Sequence, residues 1–415
     1  MPDDRGATAL LAYWRGLYLC LVRGALYDDL RVALPTLPQE ARLHIYWLCL
    51  HVRMWDEPHY RSGTFANDMR KNLRNVALPG TGLPLSLLCH FRWVALAFLW
   101  FGVPLAALAA AVVASRGGGG RPWAAGLGAS FADALLATGD GRTWFHHWRL
   151  NCVIASYHAL RTGDRGYALE DKLEFLQACE REGVAVSPWL RQPRLIVKHR
   201  NEEGGLGLHC FDNADAGGDW IIQSFLQNAP AIARLLPERA PLSTLRFVTA
   251  SRACVRARPA EGCTDEDILL LSACFRAGRA NATTDHSCIM FDVDVDAGVC
   301  KRGTSNAHWY QLGMQKALQC PLATDGHTIS AHPDTGQPVA GEPLPAMAAC
   351  RKLVIEAHRK LLPGVPLAGW DVAVTEPEGV LLLEANLSCN FFRATFDVPA
   401  YCAFAESVFA AIERQ

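Results

Sequence analysis

The order of apolar and polar positions divides the chain into three textures. Residues 8–78 mix aromatics and leucines with arginines at helical spacing, as in Leu43, Ile45, Tyr46 and Leu50, which predicts short amphipathic helices. Trp93 to Ala114 is a run of 22 residues without a charge, interrupted only by Gly102 and Pro104. A helix of that length can cross a bilayer. The competing expectation is a buried core helix, or a helical hairpin broken at Pro104. Arg74 and Arg92 on one side balance Arg116 and Arg121 on the other, so no orientation follows from charge. Gly117 to Gly120 reads as a flexible linker. From Arg142 onward the texture is α+β (α/β): a helical stretch at Leu169 to Glu182 alternates with β-rich runs at Leu195 to Val197, Trp220 to Ile222 and Leu245 to Val248.

Near the C-terminus the alternation carries chemistry. Gly369 to Thr375 and Val380 to Asn386 flank Glu376-Pro377-Glu378-Gly379, whose Pro and Gly content suits a hairpin turn. If Thr375 pairs with Val380, Asp371 lies opposite Glu384, and Asn386 falls on the same face. Directly opposed like charges destabilise a sheet unless something neutralises them. A divalent cation would do so, and three hard oxygen donors suit Mg²⁺, with Mn²⁺ as a substitute. Val372, Val374, Leu381 and Leu383 should bury the other face. A solvated edge hairpin with coincidental acids is the bland alternative.

Composition narrows the field. At 415 residues, half of them hydrophobic, the chain is long enough for two or three domains with a substantial core. Forty basic against 41 acidic residues argue against an electrostatic nucleic-acid binder. Fifteen cysteines, with no CxxC pair, read as reduced thiols that act as small buried hydrophobes. No metal-ligand spacing marks a zinc site, His146-His147 included.

Upstream of the hairpin lie the parts that an enzyme handling a nucleoside triphosphate needs. Leu195 to Lys198 reads as a strand ending in a lysine, and the loop that follows carries Gly204, Gly205 and Gly207. Glycines let backbone N–H groups approach phosphate closely. Glu170-Asp171-Lys172 opens a helix that runs into Gly183, and Trp220 to Leu226 leaves a strand into a short linker. Arg246, in an apolar strand, needs a partner, either an active-site anion or a structural ion pair. Arg276 divides evenly between those roles. Asp292, Asp294 and Asp296 alternate as a strand with one wet face, and Arg393 follows the Asn386 to Asn390 segment.

The combination resembles the ATP-grasp superfamily over residues 142–395, and more narrowly the sugar-transfer-associated family related to α-L-glutamate ligases. The phrases that carry the narrower likeness are Trp148 to Cys152, Glu170 to Lys172, Thr244 to Thr249, His332 to Gly336 and Gly369 to Val374. The resemblance implies two α+β subdomains gripping ATP, preceded by the helical region. It implies that Lys172 and Lys198 bind ATP phosphates under the 204–207 loop, that Gln223, Ser224, Phe225 and Leu226 contact adenine, and that Asp371, Glu384 and Asn386 hold magnesium ions. Arg246, Arg276 and Arg393 are the candidate catalytic cations. Two departures stand out: Thr284 to Cys288 lacks the family's Gly-Gly pair, and residues 1–120 have no part in the likeness.

These features predict a helical region at 1–120 with a candidate membrane anchor at 93–114, a linker at 121–141 and a catalytic domain at 142–415 that binds ATP without the first 120 residues. The expected activity is ligation: a small-molecule carboxylate is activated as an acyl phosphate and joined to an amine or similar nucleophile. Rivals are a phosphotransferase acting on a sugar or other alcohol, and a membrane-attached scaffold with a degenerate ATP-grasp domain. A cytoplasmic location, membrane-associated through 93–114, would follow.

Overall fold

A computed structural model describes residues 4–74, 76, 84–117, 123–138, 144–201, 207–285, 288–305, 328–392 and 394–414. Up to residue 162 the described elements are helices. They are α1 (Arg5–Leu17), α2 (Tyr27–Ala33), α3 (Gln39–Arg53), α4 (Phe65–Leu73), α5 (Arg92–Ala97), α6 (Val103–Gly117), α7 (Trp123–Leu136) and α8 (Trp144–Thr162). Beyond them come α9 (Lys172–Glu182), a hairpin of β1 (Arg194–Lys198) and β2 (Leu208–Asp212), and α10 (Pro230–Ala233). Strands β3 (Thr244–Ser251), β4 (Ile268–Ala277), β5 (Ile289–Val293) and β6 (Cys300–Ser305) follow. The chain then forms α11 (Met347–Leu361), β7 (Leu367–Thr375), β8 (Gly379–Asn386) and α12 (Val398–Ile412). The mixture of helix and antiparallel sheet matches the α+β expectation.

The apolar run is neither a core helix nor a hairpin broken at Pro104. A π-helical turn at Phe98–Gly102 joins α5 to α6 without a break. Proline has no N–H to donate to the carbonyl four residues back. The π turn sends the Val103 N–H to Phe98 O, and α1 takes the carbonyls left over. Tyr13 Oη donates to Leu99 O at 2.9 Å and Trp14 Nε1 to Trp100 O at 3.1 Å. Arg92–Val112 is long and apolar enough to cross a membrane by length and composition, yet only 22% of its most apolar window is buried.

The six-stranded sheet has the order β6-β5-β4-β3-β7-β8, antiparallel throughout. One face carries Leu245, Phe247, Phe275, Trp370 and Val372, which share an apolar cluster with α9 and α11. The other face carries Val248, Cys274 and Met290, which share a cluster with Tyr13, Ile45, Leu50 and Phe65 of the helical region and with Phe409 of α12. All eight residues of β3 and all nine of β7 are buried, as expected for central strands covered on both faces.

Three local expectations shift. Trp220 to Ile222 is extended but forms only isolated bridges, Asn213 to Trp220 and Trp189 to Gln223, because the segment lies outside either sheet. The aspartate alternation ends at Val293: Asp292 is buried and accepts from Thr395 N at 2.8 Å, while Asp294 turns the chain by accepting from Asp296 N and Ala297 N. The C-terminal turn is one residue tighter than expected, as treated next. Among the described residues every cysteine is free, and all but Cys210 and Cys263 are buried.

Candidate functional site

Register builds the site. Asp292, Cys274, Arg246, Asp371 and Glu384 are successive cross-strand partners on β5, β4, β3, β7 and β8, so they form one row across the sheet. Asp371 does lie opposite Glu384, by a route the alternation did not contain. Thr375 pairs with Gly379 rather than Val380, which shifts the register by one, and a bulge between Asp371 and Val372 restores it. The bulge leaves Leu382 fully buried beneath the strand and Leu383 only half-buried.

Arg246 and Asp371 are 5% and 4% exposed, so each needs the other. Arg246 Nε and Nη2 form a two-pronged bond to the Asp371 carboxylate, the second at 2.9 Å. Arg276, on β4, bridges Asp371 at 3.1 Å and Asp285 at 2.9 Å. Burial by itself would raise the Asp371 carboxyl; the two guanidiniums outweigh it and hold the group below its ordinary value. Burial dominates at Asp285, whose carboxyl is raised despite Arg276. The Phe392 ring covers both cations, at 4.7 Å from Arg246 and 5.5 Å from Arg276. Gly369 makes the close approach possible, since a Cβ there would stand 2.6 Å from Cys389 Cβ and 3.4 Å from Arg246 Cδ.

The accessible end of the row is Glu384, Asn386 and Lys172. Lys172 Nζ lies 3.0 Å from Glu384 Oε2, and Asn386 Nδ2 donates to Glu384 Oε1 at 3.3 Å. Lys172 is the first residue of α9, where Asp171 caps the helix by accepting from Leu173 N and Glu174 N, and Gly183 ends it in the left-handed conformation. The donor chemistry of Glu384 and Asn386 fits Mg²⁺, a carboxylate and an amide oxygen on one open face. Asp371 is engaged by two arginines and serves in this arrangement as their counter-charge. Among the described residues no three acidic, histidine or cysteine side chains come together as a metal cluster.

The remaining candidates lie apart from the row. Lys198 ends β1 and is exposed; His199 N donates to Gly207 O at 2.9 Å, which closes the loop at Gly207, φ +65°. Gly204, Gly205 and Arg393 fall outside the described residues. Gln223 bonds Ser187 Oγ and Ser224 N donates to Pro188 O at 3.0 Å, so the linker runs along residues 187–190. Leu226 is buried, whereas Phe225 is 92% exposed.

Sequence reasoning missed Arg61. Its guanidinium donates to Glu170 Oε1 at 3.1 Å, to Asp68 Oδ1 at 3.0 Å and to Ser388 Oγ. Glu170 Oε2 in turn accepts from Leu387 N at 2.8 Å, so the helical region is tied directly beside Asn386. Nothing local to residue 61 signals this. Two phrases that carried the resemblance are structural here. Asn151 holds the loop after β8 through Cys389 O at 2.9 Å, and His332 sits against Gly278 O at 3.1 Å while Asp334 pairs with Arg279.

Residues 219–393 match the family described as sugar-transfer associated ATP-grasp. The match supports the ATP-grasp resemblance and contains the linker, Arg246, Arg276, Asp371, Glu384 and Asn386. Lys172 and Lys198 lie before it. No curated protein matches the chain.

Proposed function

We propose that the protein is an ATP-dependent ligase: it activates a carboxylate as an acyl phosphate and joins it to an amine or similar nucleophile. The observation that carries this is the row itself, in which accessible Lys172, Glu384 and Asn386 adjoin a buried pair of guanidiniums fixed on Asp371. Arg246, Arg276, Asp371, Glu384 and Asn386 lie in the stretch that matches an ATP-grasp family, and Lys172 precedes it. Glu384 and Asn386 would hold Mg²⁺, which supplies charge neutralisation for phosphoryl transfer when bound.

This chain's own groups do the rest. Lys172 and Lys198 bind phosphate oxygens, and the extended 223–226 linker meets the adenine with Phe225 available for stacking. Arg246 and Arg276 place fixed guanidinium dipoles beneath the acyl-phosphate position, at no reorganisation cost because Asp371 and Asp285 already hold them. Catalysis by positioning and electrostatics needs no nucleophilic side chain.

ADP release measured across pairs of carboxylic acids and amines tests the reading. A ligase sustains ADP release over many turnovers only when both substrates are present. The same ATP machinery would serve a phosphotransferase acting on a sugar or other alcohol; a stable phosphorylated product formed without an amine would establish that rival and end the ligase reading.

A further inference from the structure

The apolar helix and its surroundings pose a question that the catalytic reading leaves untouched. Trp93, Phe101, Leu105 and Leu108 are 67%, 66%, 65% and 44% exposed. Their spacing of eight, four and three residues puts them on one stripe of the α5–α6 helix. The opposite side of that helix packs on the protein: Leu99 and Ala107 are buried, and α1 bonds Leu99 O and Trp100 O at mid-length. A helix docked along its length on a folded body exposes one stripe only. Exposed apolar patches of this kind, rimmed by polar residues, mark interaction sites.

The rim says what covers it. Immediately before α5, residues 85–89 form a 3₁₀ turn that packs against α4, and Arg70 Nε donates to Cys89 O at 3.2 Å. Between them lies an open hollow of about 550 Å³ whose lining includes Arg70, Lys71, Arg74 and His90 and contains no acidic residue. Among the described residues no carboxylate pairs with Arg70, Lys71 or Arg74, and the nearby Asp68 is engaged by Arg61, His59 and Asn72. Exposed Leu87 and the stacked Phe91–Trp93 pair, ring centroids 5.9 Å apart, connect the hollow to the apolar stripe. Apolar side chains, a boundary of aromatics and a cluster of unneutralised cations are together the profile of a helix lying in the surface of an anionic bilayer.

We propose that this face is a membrane-docking surface, with Trp93, Phe101, Leu105 and Leu108 entering the acyl region and the Arg70, Lys71, Arg74 and His90 hollow receiving the phosphate of an anionic lipid. The helix lies in the plane of the membrane and does not cross it, because its inner side is held by α1. The proposal is independent of the enzymatic reading.

Sedimentation of the full chain with phosphatidylglycerol-containing and pure phosphatidylcholine vesicles tests it. Binding should favour the anionic vesicles and weaken with salt. Lys71→Glu with Arg74→Glu should lower that affinity roughly tenfold or more, and Phe101→Glu with Leu105→Glu should abolish binding to both vesicles, with unchanged thermal melting. Arg74→Gln, at an exposed position, serves the charge arm if the paired reversal melts early. Equal binding of the wild type to both vesicles, or of either double variant and the wild type, would overturn it. Resistance to alkaline carbonate extraction would replace it with a crossing helix, and full competition by inorganic phosphate alone would make the hollow a soluble-anion site.

Discussion

The sheet row and the β1–β2 hairpin carry the two halves of the candidate ATP site, and they are built in opposite ways. Every residue of β3 and β7 is buried, whereas eight of the ten residues in β1 and β2 are exposed. Arg246 and Asp371 are fixed by register, by burial and by each other. Lys198 stands on a two-stranded ribbon, a unit only marginally stable alone. One half is thus held within the protein core, and the other stands on an exposed ribbon.

That contrast can be broken most forcefully at Asp371. Asp371→Asn leaves the buried Arg246 without its counter-charge and Arg276 with Asp285 alone, and should cost about 3–5 kcal/mol in chemical denaturation; a loss below about 1 kcal/mol would show that the row is not held by this pair. Acid sharpens the comparison between the row and the helical layer. Burial lowers His44 to about 3 and His158 to about 4, against an ordinary 6.5. The unfolded chain therefore takes protons first. Their stabilisation is complete above pH 6.5 and drains away as pH falls toward 4, on the order of a few kcal/mol. Asp371 has the same sign in a lower window, since its depressed carboxyl loses its contribution only below about 3.8. Hydrogen exchange at pH 5 should find the helical layer loosened while β3 and β7 stay protected; simultaneous loss would mean that the layers melt as one unit.

Glu384→Gln tests the open end of the row. Turnover should fall about a hundredfold or more in an ADP-release assay, with little change in melting because the side chain is partly exposed; undiminished activity would remove Glu384 from the metal site. Lys198→Met should be smallest, weakening ATP binding about tenfold, the worth of one charged hydrogen bond. Its stability should stay within about 0.5 kcal/mol. A melting change as large as that of Asp371→Asn would erase the distinction between the two halves.

The helical region is also part of this comparison. Arg61 reaches Glu170 and Ser388, and one apolar cluster runs from α1 and α3 to the site face of the sheet. A chain lacking residues 1–120 should therefore lose cooperative folding, seen as loss of a thermal transition. Retained ATP binding by that truncation would show that the sheet stands alone.

Much of the site was legible because its signals are local. The α9 cap at Asp171, the left-handed Gly183 and the β1 lysine depend on a few consecutive residues. The Asp371–Glu384 pairing emerged correctly although the turn is tighter than expected, since a bulge compensates for it. A bulge answers to packing on both faces of the strand and leaves no mark in an alternation count. Trp220 to Ile222 has strand-like residues but no neighbouring strand to extend, so its pattern could not reveal that it would stay a linker.

Away from the β8 bulge, the sequence alone determined which side chains share a face, because the two-residue period of a strand and the turn of a helix are properties of the backbone. It thereby put Asp371, Glu384 and Asn386 together and marked Arg246 as a cation in need of a partner. Only the tertiary structure decided what that partner is. Arg246 meets Asp371 across 125 residues, and Arg61 meets Glu170 across 109. Such pairings depend on which strands become neighbours and where the helices pack, and those are settled by burying both faces of the sheet at once.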